Sequence, residues 1–129
     1  MQCIVDSHAW IEYFEGSVKG KKTEKIIENP GITLITLEST IAEVFRWCNE
    51  KESNFGEVFN DIRRMSDIVP ISLTNWIVAA PIKIAKRRFM KDFGLMDALL
   101  LAKQAELKAK IITGDKHFKN LKNVVYIGD

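Results

Sequence analysis

The sequence predicts a three-layer α/β domain in which helices flank a mostly parallel sheet. Two observations carry this prediction. Short apolar runs rich in β-branched residues alternate with longer stretches of helical periodicity along the whole chain. Strands separated in this way need crossover helices, which favour parallel pairing. The length, 129 residues and 14.7 kDa, fits a single domain spanning 1–129. A chain of this size buries roughly two-thirds of the surface its unfolded form exposes.

Cys3-Ile4-Val5 reads as a buried strand closed by Asp6-Ser7. Trp10, Ile11, Tyr13 and Phe14 predict a short helix broken at Gly16, and residues 17–28 a polar helix stopped by Asn29-Pro30-Gly31. Ile32-Thr33-Leu34-Ile35 is the second strand. Ile41, Val44, Phe45 and Cys48 follow the i, i+3, i+4, i+7 pattern of one core-facing helix stripe. Val58, Phe59, Ile62 and Met65 predict another amphipathic helix. Ile68-Val69-Pro70-Ile71 is a third strand, and Pro70, lacking an N–H, favours a sheet edge. A helix over 74–90 is expected to bend or restart at Pro81. From Asp97 the run Ala98-Leu99-Leu100-Leu101-Ala102 is apolar on nearly every side, as in a central buried helix. Lys110–Thr113 and Val124–Ile127 complete five strands.

Composition excludes several classes. A hydrophobic fraction of 47% with only 7 Gly and 3 Pro excludes a disordered or collagen-like chain. No apolar run approaches the roughly 18 residues of a membrane span. The first residues lack a basic region and meet Asp6 at once, unlike a secretory signal. Cys3 and Cys48 both sit among apolar residues, so two free thiols in a reducing cytoplasm are expected rather than a disulfide. Neither C-x-x-C nor H-x-x-x-H is present to start a zinc site. The net charge of +2 is mild. Its distribution is more informative, because Lys83, Lys86, Arg87 and Lys91 recur at helical spacing. Such a stripe is either a solvated face or a grip on phosphates.

Four carboxylates stand at telling places. Asp6 follows the first strand and Asp115 the fourth. Glu43 lies early in the helix after the second strand, and Asp97 opens the apolar helix before the fourth. In a parallel α/β sheet the strand C-termini and the starts of the following helices share one edge. Asp97 reaches that edge if its helix runs antiparallel to the fourth strand. Each acid also has a purely structural reading. Asp97 sits where an N-cap would, Thr40-Ile41-Ala42-Glu43 matches a capping box, and Asp6 and Asp115 suit strand-closing turns.

Together the four point to a cation. Two carboxylates ~4 Å apart repel by on the order of 4 kcal/mol at an effective dielectric of ~20. A cluster of four needs protons or cations to neutralise it. Oxygen ligands suit Mg²⁺ or Mn²⁺, and such an ion promotes phosphodiester hydrolysis. Ser7 and Thr113, beside two of the acids, are candidate hydroxyls for orienting an acid or water, or turn caps. His8 and His117 neighbour the same acids; neither is assigned as a base.

These residues, in this order, resemble the PIN-domain ribonucleases, and among them the small VapC-type toxins. Ile4-Val5-Asp6-Ser7-His8 is similar to the family's opening strand and acid. Thr40-Ile41-Ala42-Glu43-Val44 resembles the second motif, Gly94–Ala102 the third, and Ile112-Thr113-Gly114-Asp115-Lys116-His117-Phe118 the fourth. The resemblance implies a PIN-like fold with a five-stranded parallel sheet in the order 3-2-1-4-5. It implies an endoribonuclease dependent on Mg²⁺ or Mn²⁺ that leaves 5′-phosphate and 3′-hydroxyl ends. Asp6, Glu43, Asp97 and Asp115 would form the metal site, with Asp6 and Asp97 the main ligands, Glu43 activating water or reaching the metal through one, and Asp115 the most peripheral. RNA as substrate, a cognate antitoxin filling the cleft and a homodimer are also implied. A catalytically inactive RNA- or protein-binding module and a DNA nuclease of the same fold are the alternatives. A two-component receiver domain is excluded: Asp6 is followed by Ser7, and the third strand ends Ile71-Ser72-Leu73 without an acid.

Overall fold

The computed structural model describes residues 1–129. Five strands, β1 (Gln2–Val5), β2 (Thr33–Leu37), β3 (Asp67–Val69), β4 (Lys110–Thr113) and β5 (Val124–Tyr126), pair in the order β3-β2-β1-β4-β5. Every pairing is parallel. The expected order and the edge position of β3 both hold, and Pro70 falls just past the last paired residue. Six helices surround the sheet: α1 (Ser7–Glu15), α2 (Val18–Ile27), α3 (Glu38–Glu50), α4 (Phe55–Met65), α5 (Leu73–Lys86) and α6 (Leu95–Leu107).

Two cores follow from the period-2 alternation of the central strands. Ile4 of β1, Ile35 and Leu37 of β2 and Ile111 of β4 pack with Leu99 and Ala102 of α6 and Ala79 of α5. Cys3 and Val5, Leu34 and Ile112 face the other way, onto Trp10, Val44, Cys48 and Ile62 of α1, α3 and α4. Both cysteines are buried free thiols, as expected. A buried hydrogen-bond chain ties that second layer together. Trp10 Nε1 donates to Thr36 Oγ1 at 3.1 Å, Thr36 Oγ1 lies 2.8 Å from Ser66 Oγ, and Ser66 Oγ donates to the Ile62 carbonyl.

Three expectations need correction. The helix does not restart at Pro81 but runs through it from Leu73 to Lys86, and Ala79 and Ile82 beside the proline pack into the core shared with α6. That helix stops at Lys86 rather than continuing to 90, and in the turn that follows the Phe89 and Met90 N–H groups both donate to the Lys86 carbonyl. On α3 the buried stripe is Thr40, Val44 and Cys48, while Phe45 is exposed and packs edge-on to Phe55 at the start of α4.

Candidate metal centre

Asp6 sits where β1 ends, and its backbone caps α1. Its carboxylate is only 3% exposed. Oδ1 accepts from the Ser7 N–H at 2.7 Å and Oδ2 from the Thr113 hydroxyl at 2.7 Å. Burial raises the Asp6 pKa above the ordinary aspartate value; the Thr113 hydroxyl opposes that shift. The same Thr113 oxygen accepts from the Asp115 N–H at 3.0 Å. The ends of β1 and β4 are thereby stitched side by side, as the register Val5 opposite Ile112 requires.

Asp97 is not the N-cap of α6. Gly94 occupies that position, and Asp97 stands three residues on, its Oδ2 accepting from the Gly94 N–H at 2.9 Å. The start of α6 therefore reaches the C-terminal edge of β4, as antiparallel packing demands. Its pKa is raised by burial first, with the Asp115 charge adding to it and the Gly94 N–H opposing. Asp115 caps a 3-10 turn over Lys116–Phe118 by accepting from the His117 N–H at 2.9 Å.

Glu43 is free of any capping role. α3 begins at Glu38, so Thr40 lies inside the helix with its hydroxyl buried and unpartnered. Glu43 projects half-buried, and its pKa is pushed up to about 7 by burial and by the neighbouring charges of Asp6 and Asp97. The charges of Asp6 and Asp97 raise Glu43, and that of Asp115 raises Asp6 and Asp97, so the four acids share one electrostatic neighbourhood. No lysine or arginine forms an ion pair with any of them. The ion-pair partners nearby are His8 and His117.

The tightest cluster is not the expected quartet. Ligand atoms of Asp97, Asp115 and His117 all lie within 4.8 Å of one another. His117 Nδ1 is 2.8 Å from Asp115 Oδ1 and 3.9 Å from Asp97 Oδ2. It is buried and makes no hydrogen bond; the close Asp115 carboxylate pairs with it as an ion only when the ring is protonated. The only signal for it in the sequence is its position two residues past Asp115. A donor set of carboxylates with one imidazole nitrogen that makes no hydrogen bond, and with no Lys or Arg ion-paired to it, fits a divalent cation.

The basic residues separate. Lys83 Nζ donates to the Phe93 carbonyl at 3.3 Å, bracing the chain just before Gly94. Arg87 and Lys91 are exposed beyond the end of α5, and Lys86 is half-buried. They share a segment but not one helical face, since α5 ends at Lys86. A cavity of about 480 Å³ lies away from the acids, lined by Gln2, Gln104, Lys108 and Lys122 near the N-terminal edge of the sheet.

A three-layer α/β domain with acids gathered at the C-terminal edge of a 3-2-1-4-5 sheet defines a narrow class. The chain matches the PIN domain over residues 3–124 and belongs to the PIN-domain family. Its fold is that of VapC toxins. It is similar to a toxin–antitoxin complex from Klebsiella pneumoniae (21% identity, TM-score 0.70, 98% of each chain covered). It is similar to VapBC2 from Rickettsia felis bound to a DNA fragment from their promoter (12% identity, TM-score 0.72, covering 98% of this chain and 97% of that one). It is also similar to Mycobacterium tuberculosis VapC20, a sarcin-ricin loop cleaving toxin (14% identity, TM-score 0.73, covering 95% and 96%). At these identities the likeness is one of fold. No curated protein matches the chain. No helix is long and apolar enough to cross a membrane.

Proposed function

We propose that this protein is an Mg²⁺- or Mn²⁺-dependent endoribonuclease and the toxin of a type II toxin–antitoxin pair, acting in the cytoplasm. One observation carries the reading: Asp6, Glu43, Asp97 and Asp115 lie close enough to raise one another's pKa values, and no lysine or arginine forms an ion pair with any of them, Arg46 only partly offsetting the charge at Glu43. Their pKa values are raised where shifts are resolved, so the cleft holds protons or cations in preference to bare charge.

Asp97 and Asp115, with Asp6 behind them, would hold the ion. A bound divalent cation supplies charge neutralisation at the phosphodiester and lowers the pKa of water. The protein's own residues orient and move protons. Ser7 N–H and the Thr113 hydroxyl fix the Asp6 carboxylate in one rotamer. Glu43, titrating near neutrality, accepts a proton from the attacking water at its carboxylate. A new O–P bond forms as the bond to the 3′ oxygen breaks, and that oxygen takes a proton from solvent. The products are 5′-phosphate and 3′-hydroxyl ends.

Lys86, Arg87 and Lys91 would grip the RNA backbone, with Lys83 bracing the loop beneath them. The antitoxin partner is supported by the toxin–antitoxin assemblies that share this fold. A homodimer is supported by exposed Leu73, Ile77 and Ile84 on α5.

The test is Mn²⁺-dependent cleavage of labelled RNA beside a matched DNA, by wild type and by Asp6→Asn. Cutting of RNA alone by wild type, abolished in the variant, is expected. Equal cutting by both proteins would overturn the site, and cutting of DNA alone would overturn the substrate. No cleavage across a broad RNA panel would favour a binding module.

A further inference from the structure

Building on the metal-centre reading above, we propose that His117 Nδ1 is a direct ligand of the divalent ion beside Asp97 and Asp115. This nitrogen would bias the centre toward Mn²⁺ over Mg²⁺.

The atom is already where a ligand belongs. Donors sharing one octahedral ion with bonds near 2.1 Å stand about 3 to 4.2 Å apart. Nδ1 is 2.8 Å from Asp115 Oδ1 and 3.9 Å from Asp97 Oδ2. It has no exposed surface and no hydrogen bond, whereas buried polar atoms are normally paired; its close neighbour, the Asp115 carboxylate, is an ion-pair partner only when the ring is protonated. The ring is held in place independently of any ion. Phe93 packs edge-on to it with centroids 6.0 Å apart at 89°, and Phe93 in turn packs on buried Phe118. The His117 backbone N–H donates to Asp115 Oδ1. The side chain is 28% exposed.

His8 offers a contrast. Its side chain is 57% exposed and Nε2 comes no nearer than 3.9 Å to Asp115. It lacks a packed ring and a buried, orphaned nitrogen.

Ligand type decides the ion. Mg²⁺ is bound through oxygen and dehydrates reluctantly; Mn²⁺ also suits carboxylate oxygen but, as a first-row transition ion, accepts an imidazole nitrogen more readily than Mg²⁺ does. One nitrogen among carboxylates therefore weights the site toward Mn²⁺ without excluding Mg²⁺.

The experiment uses the full chain with Mn²⁺ or Mg²⁺ as the probe and no RNA. Pulsed electron paramagnetic resonance on the Mn²⁺-bound wild type is expected to show ¹⁴N coupling. Uniform ¹⁵N-histidine labelling should convert it to ¹⁵N coupling, a readout that needs no variant to fold. The coupling should persist in His8→Gln and vanish in His117→Gln. His117→Gln should weaken Mn²⁺ binding about 10- to 100-fold and Mg²⁺ binding far less. Absence of histidine coupling in wild type overturns the proposal. So does its persistence in His117→Gln, or an equal loss of both ions. Asp97→Asn separates this inference from the reading beneath it. If that variant binds Mn²⁺ as wild type does, the metal centre itself is wrong. If it loses Mn²⁺ while His117→Gln keeps the coupling, only the role of His117 fails.

Discussion

The Thr113 hydroxyl donates to Asp6 Oδ2 at 2.7 Å across 107 positions of sequence, and it accepts from the Asp115 N–H in the same arrangement. One side chain thus sets the spacing of two acids on neighbouring strands. Thr113→Val keeps the shape but removes both bonds. A buried carboxylate oxygen and a backbone N–H lose their partners, which costs about 1–3 kcal/mol. Because this hydroxyl lowers the Asp6 pKa, its loss moves that pKa further up. Thr113→Val is therefore expected to unfold at lower urea and to lose about 10- to 100-fold in cleavage, while Thr113→Ser retains most of both. A Val variant as active as wild type would contradict the orienting role.

Glu43 predicts a pH dependence of the metal-free protein. Its ordinary value of 4.5 rises to about 7 in the fold. Between those values the folded protein keeps a proton that the unfolded chain has released. The stabilising contribution is complete below about pH 4.5 and is lost as pH rises through about 7. The raised values of Asp6 and Asp97 act in the same direction. Thermal unfolding in chelator should therefore show Tm falling from about pH 5 to about pH 8. Glu43→Gln should flatten that slope, and Mn²⁺ should restore Tm at the alkaline end by binding the folded state. A wild-type slope left unchanged by Glu43→Gln would show that Glu43 does not feel Asp6 and Asp97.

Asp97→Asn separates chemistry from folding. The amide oxygen of Asn can still accept from the Gly94 N–H, so the start of α6 survives. The charge, however, is gone, and with it the repulsion on Glu43 and from Asp115. Metal-free Tm should stay level or rise, whereas Mn²⁺ affinity and RNA cleavage should each fall at least about 100-fold. Calorimetry and a cleavage assay on one preparation check both arms. A large drop in Tm would mean that Asp97 is mainly a structural cap.

What sequence could and could not reveal divides along local and tertiary lines. The alternation that sends Cys3 and Val5 one way and Ile4 the other is local, and it is visible directly. So is the placement of acids after strands, because parallel topology does the rest. Thr40 misleads because its apparent capping box depends on where α3 begins, and that start is set by Leu37 leaving the sheet. His117 and His8 look alike in sequence. What distinguishes them is Phe93, a ring from a distant segment that packs against one and not the other. The basic stripe depended on a helix reaching 90, but the chain turns at Lys86 through long-range packing around Phe93.

That turn bears on RNA affinity. Lys83 is occupied with the Phe93 carbonyl, whereas Arg87 and Lys91 carry charge into solvent. A phosphate contact adds affinity through counterion release, and for single strands each contributes about 0.7 to the slope of log K against log salt. Removing a contact reduces both affinity and slope, whatever the base sequence. Arg87→Ala with Lys91→Ala is therefore expected to weaken binding of unrelated RNAs alike and to make the salt slope shallower by about 0.7 per residue. Fluorescence anisotropy in chelator, across a salt series, measures both without cleavage. Lys83→Ala should instead lower Tm, because it unpins the segment leading into Gly94 and Asp97. If the double variant left the slope unchanged, Arg87 and Lys91 would be solvated charges with no part in RNA binding.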